Sequence, residues 1–137
     1  MNTVNLSILA ETRPSRIDGK GLFAKAKLQG RRKIGEFAGE LISIREARRR
    51  AKHLKHIAIV ELNNGKAIDG SRHGNGFRHM NHSCSPNTFI RIFRNLAEFY
   101  ALRDIKPGEE LTCDYGESHH NGTRRCTCGS QKCCKAI

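Results

Sequence analysis

The sequence predicts one mostly-β domain with a single modest helix and a C-terminal tail held by metal. Three observations carry that expectation. Short apolar segments alternate with Gly, Asn and Pro turn signals along most of the chain. One stretch alone, residues 43–56, has sustained helical spacing, and four cysteines crowd the end at 126, 128, 133 and 134. Many short strands beside one helix indicate small sheets rather than a bundle or a wound α/β sheet. A length of 137 residues suits one domain with one core.

The elements follow in order. "VNLSILA" alternates as a strand, with Val4, Leu6 and Ile8 on one face. "RIDGKGLFAKA" is a glycine turn feeding a short apolar strand, and "KIGEFAGELIS" reads as another strand that ends near Ser43. Ser43 with Glu46 three residues on forms a capping-box pattern. Ile44, Ala47, Ala51 and Leu54 then make one helical stripe, and Arg45, Arg48, Arg49, Lys52 and Lys55 lie on the other face. That basic face reads first as a solvated surface, with phosphate or an acidic partner as the functional alternative. "IAIVELNNGKAIDG" predicts two strands around an Asn64-Gly65 hairpin turn. "TFIRIFRNLAEFYALRDI" predicts a second hairpin turning near Asn95, and Pro107-Gly108 turns the chain into a last strand, "ELTCDYG". From Glu117 the chain is too polar to fold without a tether.

Lys and Arg total 25 against 13 Asp and Glu, a net charge of +12. Such an excess favours proximity to nucleic acid or nucleoprotein through counterion release and steering. No run is long enough to span a bilayer, and the start lacks a charged segment followed by a long apolar one, so an intracellular protein is expected. The six cysteines therefore read as thiols or metal ligands rather than disulfides. Cys126, Cys128 and Cys133 form C-x-C-x4-C, three thiolates of a tetrahedral zinc site. The fourth ligand is either neighbouring Cys134 or a cysteine elsewhere, with Cys84 the candidate because Cys113 sits inside a predicted strand. Metal binding would supply the folding free energy the tail lacks.

Three shorter motifs are weak singly. "GKG" at 19–21 is not a dinucleotide fingerprint, and reads as a tight turn whose glycines permit close backbone approach. "NHSC" at 81–84 sets a nucleophile beside a histidine, but no elbow or oxyanion motif surrounds it. "CDYG" ends a strand with Tyr115 beside an acid, which by itself reads as core or rim.

Together, and in this order, "GKGLFA", "GEFAGE", "RHMNHSCSPN", "ELTCDYG" and "CTCGSQKC" resemble the SET-domain protein lysine methyltransferases that carry a cysteine-rich post-SET tail. The resemblance runs from about Ser15 to the C-terminus and is to minimal, bacterial- or viral-like versions. It implies a fold of small β-sheets with knot-like threading, in which the "NHSC" segment meets the segment ending in "DYG". The SET domain would occupy 1–116, with 43–56 as its insert helix, and the post-SET tail 117–137. S-adenosylmethionine would be held by Lys20, Gly21 and Leu22 with Arg78, Asn81 and His82, the last near the adenine. Cys84 would join Cys126, Cys128 and Cys133 around one structural zinc. Tyr115 would be the catalytic residue, at the inner end of the lysine channel and against the cofactor.

Two positions depart from the family pattern. Ala58 stands where the family often has a Tyr, which leaves that channel wall to another residue such as Tyr100. Cys113 stands two residues before Tyr115, where a Phe or Tyr usually limits the number of methyls, so room for di- or trimethylation is expected. The implied partner is a lysine-bearing protein or peptide, histone or otherwise basic and DNA-associated. The setting would be the nucleus in a eukaryote or the cytoplasm in a bacterium, and a homodimer would be one way to complete an open channel. Glu36, Glu40, Glu61, Glu109, Glu110 and Asp114 are the acids available to offset repulsion of a basic peptide. The competing reading is a non-catalytic, zinc-stabilised module that binds nucleic acid or a basic peptide, and cofactor binding separates the two.

Overall fold

The computed structural model describes residues 9–54 and 57–114 together with Cys126 and Cys128. Three small sheets surround one core. The first has four strands in the order β1 (Ala10–Pro14), β2 (Lys20–Ala24), β10 (Glu110–Cys113) and β7 (Asn81–His82). The second is β3 (Lys33–Glu36), β9 (Leu96–Ala101) and β8 (Thr88–Phe93). The third is β4 (Glu40–Ser43), β6 (Lys66–Asp69) and β5 (Ile59–Glu61). The mostly-β fold of small sheets with one modest helix expected from sequence is the fold found. Leu22, Leu28, Ile34, Phe77, Ile105 and Leu111 are all but completely buried where the sheets meet. Phe77 stacks on Phe99 with ring centroids 5.0 Å apart, an offset aromatic pair at the centre.

Both predicted hairpins form. Leu62 N donates to Lys66 O at 2.8 Å across the first, and β8 pairs with β9 from Thr88↔Ala101 to Phe93↔Leu96 around the second. The segment 33–43, expected as one strand, is broken at Phe37–Gly39 into β3 and β4, which belong to different sheets. Gly39 permits the break, because a Cβ there would overlap the Asp69 carbonyl. The first described strand is Ala10–Pro14; positions 4–8 of the expected opening strand lie outside the described residues.

The helix α1 spans Ile44–Ala51, shorter than the expected 43–56. Ser43 Oγ accepts from Glu46 N at 3.1 Å, which is half of the capping box. The Glu46 carboxylate turns instead to Arg49 Nε at 2.6 Å and Arg50 Nε at 2.8 Å. Ala47 is buried against Ile42 and Ala67, while Arg45, Arg48, Arg49 and Lys52 are exposed, as the spacing predicted. Arg50 breaks that simple division. It also donates to Glu40 Oε1 at 2.7 Å and to the buried Asp69 Oδ2 at 2.9 Å, fastening the helix to the edge strand β4 and the central strand β6 of the sheet beneath it. Burial pushes the Asp69 carboxyl up, but the Ser71 hydroxyl and amide and the Arg50 guanidinium outweigh it and hold it below its ordinary value. No helix among the described residues is long and apolar enough to cross a membrane.

Candidate functional site

The chemistry-bearing segments meet where one strand changes partners. β10 pairs with β2 at Glu110↔Phe23 and Leu111↔Leu22, antiparallel, then with β7 at Thr112↔Asn81 and Cys113↔His82, parallel. Its register with β2 thus ends at Leu22, beside Lys20 and Gly21. Asn81 spans this opening. Its Nδ2 lies 3.1 Å from the Asp18 and Lys20 carbonyls and from Ser15 Oγ, and 2.9 Å from Glu110 Oε2. Ser15 Oγ also reaches both Glu110 oxygens at 2.8 Å. Gly21 is the residue type the place demands, because a Cβ there would run into the Glu110 carboxylate and stand 3.0 Å from Ser15 Cβ.

The flank after "NHSC" holds β10 from the other side. Asn87 Oδ1 accepts from Thr112 N at 2.9 Å and its Nδ2 donates to Glu110 O at 2.8 Å, so the amide imitates a paired strand. Thr88 Oγ1 donates to Thr112 O at 2.7 Å and is buried. Beyond this point Ser83 N donates to Cys113 O at 3.0 Å, so the two motifs run side by side up to Cys113, two residues before Tyr115. Burial pushes the Cys113 thiol up to about 12, helped by the adjacent Asp114 charge, so it is a neutral packing group despite being only half-buried by its surface.

His82 is buried with its ring between two groups. Nε2 lies 3.2 Å from Cys84 Sγ, and Nδ1 lies 3.7 Å from Asp114 Oδ1. Burial holds the imidazole below its ordinary pKa, and Asp114 opposes that only in part. His82, Cys84 and Cys126 bring their donor atoms within 4.8 Å of one another. Cysteine 126 is thereby set beside the opening motif although 42 positions separate it from Cys84 in the sequence.

The other expected residues fall as follows. Lys20 and Arg78 are exposed, and burial followed by these two charges lowers the pKa of His79 between them. Leu22 is a core side chain, so only its backbone can face a ligand. Ala58, Tyr100 and Cys113 stand by three different sheets. The Ala58 carbonyl accepts from Gly70 N at 2.7 Å beside β6. Tyr100, in β9, stacks on Phe89 at 5.5 Å with the Arg91 guanidinium 5.5 Å from its ring. Cys128 is half-buried. Tyr115 and Cys133 lie outside the described residues. Of the acids expected to attract a basic peptide, Glu36 pairs with Lys33, Glu40 with Arg50 and Glu109 with Arg103. Sequence reasoning passed over Ser15, Asn87 and Thr88. Asn87 was readable as the end of "NHSCSPN", but its side-chain hydrogen bonds are to residues more than twenty positions away.

A family model described as "SET domain" matches residues 19–116. Among curated proteins, the chain is 35% identical to "Histone-lysine N-methyltransferase ASHH1" of Arabidopsis thaliana, over 90% of this chain and 28% of that protein. It is 36% identical to "Histone-lysine N-methyltransferase, H3 lysine-4 specific" of Schizosaccharomyces pombe, over 88% of this chain and 14% of that one. It is also 36% identical to "Probable histone-lysine N-methyltransferase set-23" of Caenorhabditis briggsae, over 87% of this chain and 56% of that one. The chain therefore spans only part of the length of each of these relatives.

Proposed function

The chain belongs to the SET-domain family, and from that premise we propose that it is an S-adenosylmethionine-dependent protein-lysine N-methyltransferase. One observation carries the reading. Asn81 ties the 15–20 loop to Glu110 at the point where β10 leaves β2 for β7. A glycine loop, the "NHSC" segment and the strand that leads to Tyr115 thus converge around one opening.

Each residue there has a task the chemistry needs. Lys20 and Arg78 present positive charge suited to the carboxylate of the donor's amino-acid part. The buried Gly21 lets the Glu110 carboxylate lie against its backbone, and Glu110 with Asn81 keeps that loop in place. When bound, S-adenosylmethionine supplies a methyl on a sulfonium, which a neutral lysine amine takes in line. Freeing that amine of its proton at pH 7 costs roughly 4–5 kcal/mol for a lysine of ordinary pKa. A narrow channel that strips water from the ammonium reduces this cost. The Tyr115 hydroxyl would orient amine and methyl, so that most of the acceleration comes from positioning and electrostatics. Cys113, small and uncharged, leaves space for an amine that already carries methyls.

The donor set at His82, Cys84 and Cys126 fits a thiophilic ion, and we assign one structural zinc there. The ion would tie the 117–137 tail onto the 1–116 domain, with Cys84, Cys126, Cys128 and Cys133 as the ligands the family pattern supplies. The substrate we infer is a lysine in a histone or another basic, DNA-associated protein. Support for this comes from the relatives' names and from the +12 charge.

The test is transfer of a labelled methyl group to histones and to whole lysate, with cofactor binding followed by calorimetry. Tyr115→Phe is expected to lose most activity while still binding the cofactor; near-normal turnover would sink the assignment. Tight cofactor binding with transfer to no protein would favour the non-catalytic binding module.

A further inference from the structure

The outer face of the second sheet has no part in the opening described above. Its inner face packs into the core through Ala97, Phe99 and Ala101. Side chains alternate along a strand, so the register sets three cross-strand pairs on the other side: Phe89 beside Tyr100, Arg91 beside Glu98, and Phe93 beside Leu96. β3 adds Lys33 next to Tyr100 and Glu36 next to Glu98. The solvated face of an antiparallel sheet ordinarily carries polar residues, yet Phe93 is 61% exposed and Leu96 38%.

Arginines are laid over these rings. The Arg31 guanidinium lies 5.7 Å from the Phe89 ring centre, Arg91 5.5 Å from Tyr100 and Arg94 5.2 Å from Phe93. Phe89 and Tyr100 stack on each other at 5.5 Å. Arg31 and Arg94 take left-handed backbone angles, φ 71° and 55°, which a long side chain adopts only at a cost. Glycine or asparagine would fit either turn more easily, so the turns by themselves do not call for arginine. Asn64 Nδ2 donates to Asn95 Oδ1 at 2.8 Å and steadies the hairpin tip that carries Phe93 and Arg94. The acids on this face share one lysine, with Lys33 Nζ 2.8 Å from Glu36 and 2.6 Å from Glu98. Positive charge is therefore in excess here, and it is interleaved with aromatic rings.

We propose that this face binds single-stranded nucleic acid, with Arg31, Arg91 and Arg94 on phosphates and Phe93 stacked on a base. A strand with unpaired bases offers regularly spaced phosphates and flat rings, the two chemistries that alternate along β8 and its turn. A duplex keeps its bases inside and would leave Phe93 in water. An acidic peptide would pair the arginines and make no use of that ring. The inference does not rest on methyl transfer, because none of these residues belongs to the sheet that forms the opening.

The test is fluorescence polarisation of the full chain with a labelled oligothymidine of about ten nucleotides, alone and as a duplex, over a salt series. Wild type is expected to bind the single strand more tightly than the duplex. Phe93→Ala keeps the charge and should weaken binding about tenfold. Arg91→Gln should lower affinity and reduce the slope of log K against log salt by about 0.7. Arg45→Gln removes the same charge from α1 and should change affinity by about twofold at most. Thermal melting checks that each variant is folded, and Arg94→Gln takes the place of Arg91→Gln if the sheet needs that contact. Absence of binding, tighter binding of the duplex, or equal losses from Arg45→Gln and Arg91→Gln with none from Phe93→Ala overturns the proposal. So does a concentration-dependent dimer that Phe93→Ala dissolves, since a second copy would then cover the face.

Discussion

Replacing Asn81 by Ala separates the two jobs of the opening motif. The Asn81 amide has two protons and lies within reach of two carbonyls, a hydroxyl and a carboxylate, so it makes at most two well-aligned bonds at a time. One to a carbonyl contributes about 1 kcal/mol, and one to Glu110 about 2 kcal/mol because the acceptor is charged. Their loss should lower stability by about 3 kcal/mol. For a domain of this size that is a fall in Tm of roughly 10 °C. The 15–20 loop also loses its anchor, so cofactor affinity should fall together with stability. Differential scanning fluorimetry and calorimetric titration with the cofactor read the two effects. Asn81→Asp should be worse than Ala at neutral pH, because it sets a second carboxylate against Glu110 and two carbonyl oxygens, and should recover partly on acidification. A Tm within about 3 °C of wild type, with unchanged cofactor affinity, would refute the view that this amide holds the opening together.

Acid should unfasten the insert helix. Glu46 is held down at about 2 by hydrogen bonds from Arg49 and Arg50, and Asp69 is also held below its ordinary value. Depressed carboxyl pKa values give stability that is complete above the unfolded values of 4.5 and 3.8 and is lost as pH falls through the folded ones. The urea midpoint should therefore decline from about pH 4.5 toward 2, and Glu46→Gln should flatten part of that decline. An equal slope in both proteins would dissociate Glu46 from acid unfolding. At Cys113 the test is product size. Cys113→Phe should shift mass-spectrometric product ratios toward monomethyl-lysine while the chain stays folded, and an unchanged ratio would remove this position from the channel.

How much of this was legible in the sequence depended on the range of the interactions involved. The hairpins at Asn64-Gly65 and Asn95 and the helix from Ser43 were readable because local turn chemistry and periodicity specify them. The break in 33–43 was not. "KIGEFAGELIS" looks continuous, and only the close approach of Asp69 to Gly39 shows where it changes sheets. Arg50 belonged to neither helical face read from the spacing, and became the hub of the helix through Glu40 and Asp69, whose positions other strands decide.

By itself the sequence determined the fold family, the order of its motifs and the thiol-rich character of the tail, because residue identities and spacings carry those. Only the tertiary structure decided how the motifs meet. β7 is two residues long, too short for any periodicity, and it exists because β10 runs beside it in parallel. Asn81 and Asn87 were visible as letters, but their partners are 61 to 66 positions away in the glycine loop and 23 to 29 away in β10. His82 likewise was visible in "NHSC", but only folding placed Asp114, 32 positions further on, beside its ring. Contacts between groups so far apart are settled by the packing of whole sheets, which no local pattern encodes.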